Sequence, residues 1–184
     1  MPALQFREDK ATQVAARFLQ LGGGRMNLMK LVKLIYLADR EALVRWGRPI
    51  TMDYMCALQH GPILSNVLNL INEEPDPDYP RYWHRYISER VANYDVLLQR
   101  EPPADQLSRV EEQVIGEVFA AHGRKDQWQL RDYTHTLPEW HDPGTSMLPI
   151  QLREILAPAG YSEEEIGAVE AELTHVAYLE RSLR

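Results

Sequence analysis

The sequence predicts a mainly α-helical fold of the α+β class, in which a single compact domain surrounds a buried central helix. One observation is that apolar residues recur at spacings of three and four along most segments, as in helices that pack on one face. A second is that residues 28–46 are apolar around nearly the whole helix surface, as expected of a central helix. A third is a few short β-branched and aromatic runs, which predict a small β-hairpin or short antiparallel sheet.

The composition is that of one globular domain. The 184 residues suffice for one substantial core and are too few for two domains of ordinary size, so we expect one domain over residues 1–184. No apolar run reaches membrane-spanning length, and residues 1–10 carry charges where a signal peptide has its apolar core. We therefore expect a cytoplasmic protein with no membrane association. The single Cys56 lies among apolar neighbours and is expected in the core.

Charge is distributed unevenly along the chain. The formal net charge of −7 argues against general affinity for nucleic acid, which requires a surplus of Lys and Arg. Residues 1–62 hold 9 Lys and Arg against 5 Asp and Glu, whereas residues 63–184 hold 11 against 22. This asymmetry indicates either attraction within the molecule or a basic partner on the acidic side, although solvated helix faces would give much the same count. Because no basic recognition helix is visible, a transcriptional regulator is the least favoured function.

The first helix starts at Glu8 or Asp9 and ends at residues 22–24, which are three glycines. Asn27 is then expected to cap the central helix, which stops at Gly47. On a helical wheel, a narrow arc of this helix is expected to face water. The arc holds Lys30, Lys33, Leu37, Arg40, Glu41 and Val44.

Asp39 projects from the apolar side of the central helix. A buried carboxylate needs a hydrogen-bond donor, because unpaired burial costs several kcal/mol or raises the pKa until the group is neutral. Two partners are expected: His60, or the start of a second helix over residues 63–71, with Pro62 in its first turn. A β-like run over residues 50–58 connects the two helices.

Asp39 and His60 also suggest an alternative function, that of a hydrolase. Such an enzyme would need a nucleophile, and Thr51, Cys56 and Ser65 lack the G-x-S-x-G pattern of a nucleophile elbow. We therefore interpret the motif as architectural, with a partner-binding role left open and no catalytic residue assigned. Its members are Asp39, His60, Gly61 and Pro62.

The middle of the chain is irregular. Residues 72–80 combine three prolines with four acidic residues and are expected to form an exposed loop. The aromatic and β-branched residues between Tyr82 and Leu98 predict a β-hairpin, broken near residues 88–93. Together with residues 50–58 this hairpin is expected to form a small sheet, whose free edge could pair with a strand of a partner.

Two further helices are expected from their caps. Ser108 caps a helix that ends at His122, and Asp126 caps one that runs to about Thr136. The loop over residues 135–142 contains possible metal ligands, which offer a second route to an enzyme. They are His135, Glu139, His141 and Asp142. Their spacing matches no known ligand pattern and Pro138 interrupts the helix, so no metal is expected and Trp140 is predicted to fill an apolar pocket.

The last part of the chain is helical. A short helix is expected over residues 150–156. Ser162 and Glu165 then form a capping box for a C-terminal helix over residues 162–184. Apolar residues at spacings of three and four along this helix predict that one of its faces packs on the rest of the domain.

An ordered series of segments extends over about residues 25–155. The segments are LMKLVKLIYLADRE, WGRPIT, HGPILSNV, YWHRYISE, NYDVLL, QWQLRDYTH and LPEWHDP. This series resembles the SocA/Panacea antitoxin family, which includes GepA-like proteins associated with phages and mobile elements. The resemblance implies a mostly helical domain that binds and neutralises a toxin encoded beside it, and it implies neither an enzyme nor a cofactor.

The expected function is therefore that of an antitoxin whose partner is a cognate toxin. The sequence leaves open whether the antitoxin only occludes the toxin or also delivers it to a protease. Because Trp and Tyr dominate the energetics of specific interfaces, aromatic residues are the candidate anchors, some of which must belong to the core. The candidates are Tyr54, Trp83, Tyr86, Trp128 and Trp140.

Overall fold

A computed structural model describes residues 5–72 and 81–182. Within these ranges lie seven α-helices and five short strands. The helices are α1 (Glu8–Leu21), α2 (Leu28–Trp46), α3 (Ser65–Asn72), α4 (Arg109–His122), α5 (Gln127–Thr134), α6 (Leu152–Leu156) and α7 (Glu163–Ser182). The strands are β1 (Arg25–Asn27), β2 (Met55–Leu58), β3 (Gly61–Leu64), β4 (Asp95–Leu97) and β5 (Leu148–Pro149). The predicted fold class, helical with small antiparallel sheets, is confirmed.

Helix α2 occupies the centre of the molecule, as predicted. Leu31, Leu34 and Ile35 are fully buried, and the helix contacts α1, α4, α5, α6 and β3. Asn27 caps its start, since the side-chain oxygen accepts a hydrogen bond from the Met29 N–H at 3.0 Å. Helices α1, α4, α5 and α6 pack around α2, as expected of helices with one apolar face.

The other predicted caps are also confirmed. Ser108 and Glu111 form a capping box at α4, and Asp126 accepts hydrogen bonds from the first amides of α5. Ser162 and Glu165 exchange hydrogen bonds at the start of α7. Capping side chains satisfy N–H groups that have no partner inside the helix, so these local sequence signals fix where the helices begin.

The strand pairing differs from the prediction. The hairpin expected between Tyr82 and Leu98 is formed only in part. The segment folds back antiparallel through two isolated bridges, Ile87 with Leu98 and Val91 with Asp95, and otherwise holds 3₁₀ turns over residues 83–85 and 92–94. Strand β4 pairs instead with β1, antiparallel, and β2 pairs with β3 and β5. The sheet expected between residues 50–58 and that hairpin is therefore not formed. The exposed loop predicted over residues 72–80 lies, apart from Asn72, outside the described residues.

Pro62 lies in strand β3 and not in a helix, which is a second correction. Strand β3 is at the edge of its sheet, where proline is tolerated because its missing N–H faces away from the partner strand. The two-residue connection between Leu58 and Gly61 places the next pair, Ala57 and Pro62, at a position without mutual hydrogen bonds. The Pro62 carbonyl is consequently free to accept a hydrogen bond from outside the sheet.

The arc of α2 predicted to face water is largely covered. Lys33 is 1% exposed and Leu37 is 5% exposed, so both belong to the interior. The remaining members of the arc are half-buried; they are Lys30, Arg40, Glu41 and Val44. The prediction failed because β3 and α5 pack on this side of α2, and such long-range packing leaves no trace in helical periodicity.

The C-terminal helix packs on the body of the protein through one face. Ile166 and Leu173 are buried in the same hydrophobic core as α2, whereas Tyr178 and Leu179 are exposed. Cys56 is buried among core residues, as expected. None of the helices in the described ranges has the length and apolarity needed to cross a membrane.

Candidate functional site

Asp39 is fully buried in the middle of α2. Its Oδ1 accepts hydrogen bonds from the Ile50 N–H at 3.0 Å and the Thr51 N–H at 3.1 Å, and its Oδ2 accepts one from the Thr51 hydroxyl. Burial raises the pKa of Asp39 to about 7, although the Thr51 donors act in the opposite direction. The carboxyl group therefore fastens the segment that follows α2 back onto that helix.

The predicted partners of Asp39, His60 or a helix start at Pro62, are wrong. His60 is exposed at the tip of the β2–β3 hairpin, and α3 begins only at Ser65. The pair of side chains that the hydrolase alternative required is thus not formed. His60 instead meets the Trp128 ring edge-on, with ring centroids 6.4 Å apart.

Asp53, which the sequence analysis did not single out, provides the carboxylate at the start of α3. It is buried and accepts hydrogen bonds from the Asn66 N–H at 3.0 Å and the Val67 N–H at 2.9 Å. These amides are the second and third of α3 and have no acceptor inside the helix. Burial raises the pKa of Asp53 against the effect of these donors. Its role is architectural, like that of Asp39.

The loop considered as a possible metal site has another organisation. Glu139 is 1% exposed and accepts hydrogen bonds from the Tyr36 hydroxyl at 2.8 Å and the Arg40 Nε at 2.6 Å. His135 stacks on Trp140, with ring centroids 3.8 Å apart. Within the described part of the chain, no group of three or more His, Cys, Asp or Glu side chains is placed to hold a metal ion. Through Glu139, this loop in the second half of the chain is held against α2.

The five candidate anchors lie in different environments. Trp83 is 1% exposed and Tyr86 is 9% exposed, so both are core residues in this structure. Tyr54 and Trp140 are half-buried and pack against the core. Trp128 is 47% exposed and lies on the wall of a cavity. Of the five, Trp128 has the free surface that an anchor for a partner needs.

We call that cavity the α2 groove. It has a volume of about 550 Å³ and lies between the first half of α2, the β2–β3 hairpin, the 92–94 turn and the start of α5. Its apolar lining is formed by Leu28, Met29, Val32, Leu58, Ile63 and Leu68. Such walls favour burial of apolar side chains from a partner, at roughly 25 cal/mol for each Å² removed from water.

Two exposed aromatic residues, Trp128 and Tyr94, form the rim of the α2 groove. Tyr94 is 67% exposed. Each ring lies beside a guanidinium: the Arg131 Cζ is 5.0 Å from the Trp128 ring centroid, and the Arg90 Cζ is 5.9 Å from that of Tyr94. Trp, Tyr and Arg are enriched among the residues that dominate binding energy at protein interfaces.

The turn that carries Tyr94 has an unusual backbone. Asn93 has φ 65° and Tyr94 has φ 58°, and each non-glycine residue in this left-handed region costs on the order of 1–3 kcal/mol. The Asn27 side-chain amide donates to the Asn93 carbonyl at 3.3 Å and so ties the turn to the start of α2. Strained backbone of this kind concentrates at binding sites, where it fixes the direction of a side chain.

Lys33 lies at the floor of the α2 groove and is 1% exposed. Its Nζ donates to the Pro62 carbonyl at 2.6 Å. Burial lowers the pKa of Lys33 from 10.5 to about 7, and no carboxylate among the described residues pairs with it. A buried lysine without a counter-ion costs stability.

We predict that Lys33→Met stabilises the protein near neutral pH. The folded state lowers the pKa of Lys33, so the unfolded chain binds more protons between pH 7 and 10.5 and wild-type stability rises with pH across that window. The variant should therefore be more stable by about 2 kcal/mol near pH 7, after the loss of the bond to Pro62 is subtracted. Urea denaturation should show this gain shrinking as the pH approaches 10.5. A variant less stable than wild type at every pH would contradict the conclusion that burying Lys33 lowers the free energy of unfolding.

Gly61 lies where β3 meets Lys33, and we predict that Gly61→Ala destabilises the protein. Its φ is +93°, and an added Cβ would come within 2.7 Å of the Thr134 Oγ1 and 2.9 Å of the Lys33 Nζ. The strained backbone and these collisions should lower the free energy of unfolding by about 2 kcal/mol. Gly144→Ala is a matched control, because that glycine also has positive φ but no neighbour within 4 Å of the added Cβ. Equal losses in the two variants would mean that close packing at Gly61 is unimportant.

Sequence reasoning found part of the α2 groove. Trp128, His60 and Gly61 were singled out, and the structure brings all three together at this cavity. Lys33 and Tyr94 were missed as site residues, because one was assigned to the solvent-facing arc and the other to a hairpin. Neither has a local signal that would have placed it here.

Comparison with known proteins identifies a family. The family model described as antitoxin SocA-like, Panacea domain, matches residues 31–141, which is more than half of the chain. The matched span contains the β2–β3 hairpin, the 92–94 turn and α5, and these elements surround the α2 groove. No curated protein and no solved structure matches the chain.

Proposed function

The chain belongs to the family of SocA-like antitoxins with a Panacea domain, and on this premise we propose that it neutralises a cognate toxin by direct, stoichiometric binding. The partner is a toxin protein encoded beside it, and the complex forms in the cytoplasm. Inhibition arises because the bound antitoxin covers a surface that the toxin needs for its activity. No cofactor takes part in this mechanism.

The observation that carries this proposal is the α2 groove with its exposed rim. Trp128 and Tyr94 leave large aromatic surfaces in water beside a cavity with apolar walls, and burying such surfaces under a partner is favourable. An exposed apolar concavity of this kind marks a site of interaction. The groove therefore supports a binding function at a defined place on the molecule.

The proposal is tested by expressing the protein encoded by the neighbouring reading frame, alone and together with this chain. We expect growth arrest when the neighbour is made alone and normal growth when both are made. The two proteins should also co-purify in equal amounts, because the mechanism is stoichiometric. Arrest that persists in the presence of this chain, or rescue without a complex, would contradict neutralisation by direct binding.

The same cells distinguish two ways of neutralising the toxin. Occlusion alone leaves the toxin at full length and at an unchanged level in rescued cells. Delivery to a protease lowers the toxin level, and blocking the host protease then restores it. We propose occlusion as the mechanism, so measured toxin levels that fall on co-expression would show that this chain also acts as an adaptor.

A further inference from the structure

The α2 groove differs in charge from the protein as a whole. The chain contains 27 Asp and Glu against 20 Lys and Arg, yet no acidic residue lies among the described residues that line the groove. The lining instead contains Lys33 and His60. A local excess of basic over acidic residues favours a negatively charged partner segment at the groove.

The rim adds positive charge. Arg90 lies over Tyr94 and forms no ion pair with any residue in the described ranges, while Arg131 lies over Trp128 and is partly neutralised by Asp132 at 2.6 Å. Three further acids lie close to the rim along the chain: Glu89 precedes Arg90, Asp95 follows Tyr94 and is paired with Arg25 at 2.6 Å, and Asp126 lies at the start of α5. Two N–H groups of the first turn of α5, those of Trp128 and Gln129, donate to the Asp126 carboxylate at 2.8 Å. This acid is therefore engaged within its own helix.

The floor has unused hydrogen-bonding capacity. A lysine ammonium has three donors, and Pro62 O is the single acceptor that the described residues offer to Lys33. A carboxylate oxygen would supply both the missing acceptor and the missing counter-charge. Burial of an ion pair is tolerated when both members are hydrogen-bonded. The first turn of α2 also borders the groove, and the positive end of its dipole favours an anion.

We propose, as a consequence of the proposed function, that the α2 groove binds an internal segment of the toxin in which a glutamate or aspartate side chain is flanked by bulky apolar side chains. The apolar side chains pack on the groove walls between Trp128 and Tyr94. The carboxylate meets the basic groups at the floor and rim, with Lys33 as its principal partner. A basic or purely apolar segment would leave Lys33 buried without a counter-ion.

The chemistry of the groove can be tested without the toxin, with hexanoate, hexanol and hexylamine as probes. The three probes share one alkyl chain and differ in the charge of the head group. Binding is followed by NMR through the indole N–H of Trp128. We expect hexanoate to bind about tenfold more tightly than hexylamine, and Lys33→Met to remove most of that preference. Equal affinity for the three probes would overturn the proposal.

The toxin is then tested by double-mutant cycles. Each Asp and Glu of the protein from the neighbouring reading frame is replaced by its amide, and binding is measured against wild type and Lys33→Met. For one acidic residue, the amide substitution should weaken toxin binding to the wild-type chain about tenfold and binding to Lys33→Met almost not at all, because that residue contacts Lys33. A toxin that binds without any such coupled residue would overturn the proposal while leaving the proposed function intact.

Two other outcomes would identify a different occupant and would also contradict the proposal. Loss of binding when the toxin is extended by a few residues at its C-terminus, with no coupled acidic side chain, would point to the terminal carboxylate. Unchanged toxin binding in the presence of saturating hexanoate would point to a small acid as the natural occupant. Failure of the wild-type chain to bind the toxin at all would count against the proposed function, whatever the probes show.

Discussion

Trp128→Ala is expected to abolish neutralisation of the toxin. The ring is 47% exposed in the free protein, and its burial under the partner removes a large apolar surface from water. Truncating a central interface tryptophan typically costs 2–4 kcal/mol, so the affinity should fall by about 30-fold to 1,000-fold. The free energy of unfolding should change by only about 0.5 kcal/mol, because the ring lies at the surface. Growth rescue measures neutralisation, and a titration of the purified proteins measures the loss of affinity.

Trp46→Ala is the matched control for this experiment. Trp46 is 43% exposed, nearly as much as Trp128, but it lies at the last position of α2. The groove borders the first turn of α2, at the other end of the helix from Trp46. The 19 residues of α2 span roughly 28 Å. Loss of an exposed tryptophan there should leave toxin binding unchanged. If Trp46→Ala weakened binding and Trp128→Ala did not, the interface would lie at the opposite end of α2.

Asp39→Ala is expected to cause the largest loss of stability of any single change discussed above, about 3 kcal/mol or more. The substitution leaves two buried backbone N–H groups and the Thr51 hydroxyl without an acceptor. Each such group costs on the order of 1–3 kcal/mol, offset in part because the buried carboxyl group is removed. Urea denaturation at mildly acidic pH measures the change. A loss below about 1 kcal/mol would mean that Asp39 does not hold the segment after α2.

Asp39→Asn separates the shape of this side chain from its charge. Its amide oxygen can accept from Ile50 and Thr51, and its amide nitrogen can donate to the Thr51 hydroxyl, so the variant should fold. Folding raises the pKa of Asp39 from 3.8 to about 7, so the folded state binds the extra proton in this window and wild-type stability falls as pH rises through it. Between pH 3.8 and about 7, the free energy of unfolding of the variant should therefore rise relative to that of wild type by about 1.4 kcal/mol per pH unit. Above this window the difference between the two proteins should stay constant. A difference independent of pH would contradict the raised pKa.

Much of the helical framework could be predicted because its signals are local. Asn27, Ser108 and Asp126 each lie directly before an apolar periodic segment, and each caps the helix that follows. The burial of Asp39 was also foreseen, since a polar residue on an apolar face must enter the core. These inferences need only the residues of one helix and its first turn.

The partners across the fold could not be predicted in the same way. Asp39 is held by residues 50 and 51, and the role once assigned to it at α3 is performed by Asp53. Strand β4 pairs with β1, about 70 residues earlier, and not with a neighbouring strand. Several short strands can satisfy the same apolar pattern, so pairing is decided by packing that periodicity does not encode.

The site was foreseen only in part for the same reason. Five aromatic residues had equal standing in the sequence, and burial alone separates Trp128 from Trp83 and Tyr86. Lys33 looked like a surface lysine, because nothing in α2 reveals that β3 and α5 cover it. The charge of the groove is thus a property of the assembled fold, although each contributing residue is visible in the sequence.

The four indole N–H groups of this chain allow the most direct measurement of where the partner binds. In an NMR titration of this protein, isotopically labelled, with the protein from the neighbouring reading frame, we expect the signal of Trp128 to shift or broaden first. The signal of Trp46 should stay in place up to equimolar partner. A complex that neutralises the toxin while the Trp128 signal remains unchanged would contradict binding at the α2 groove.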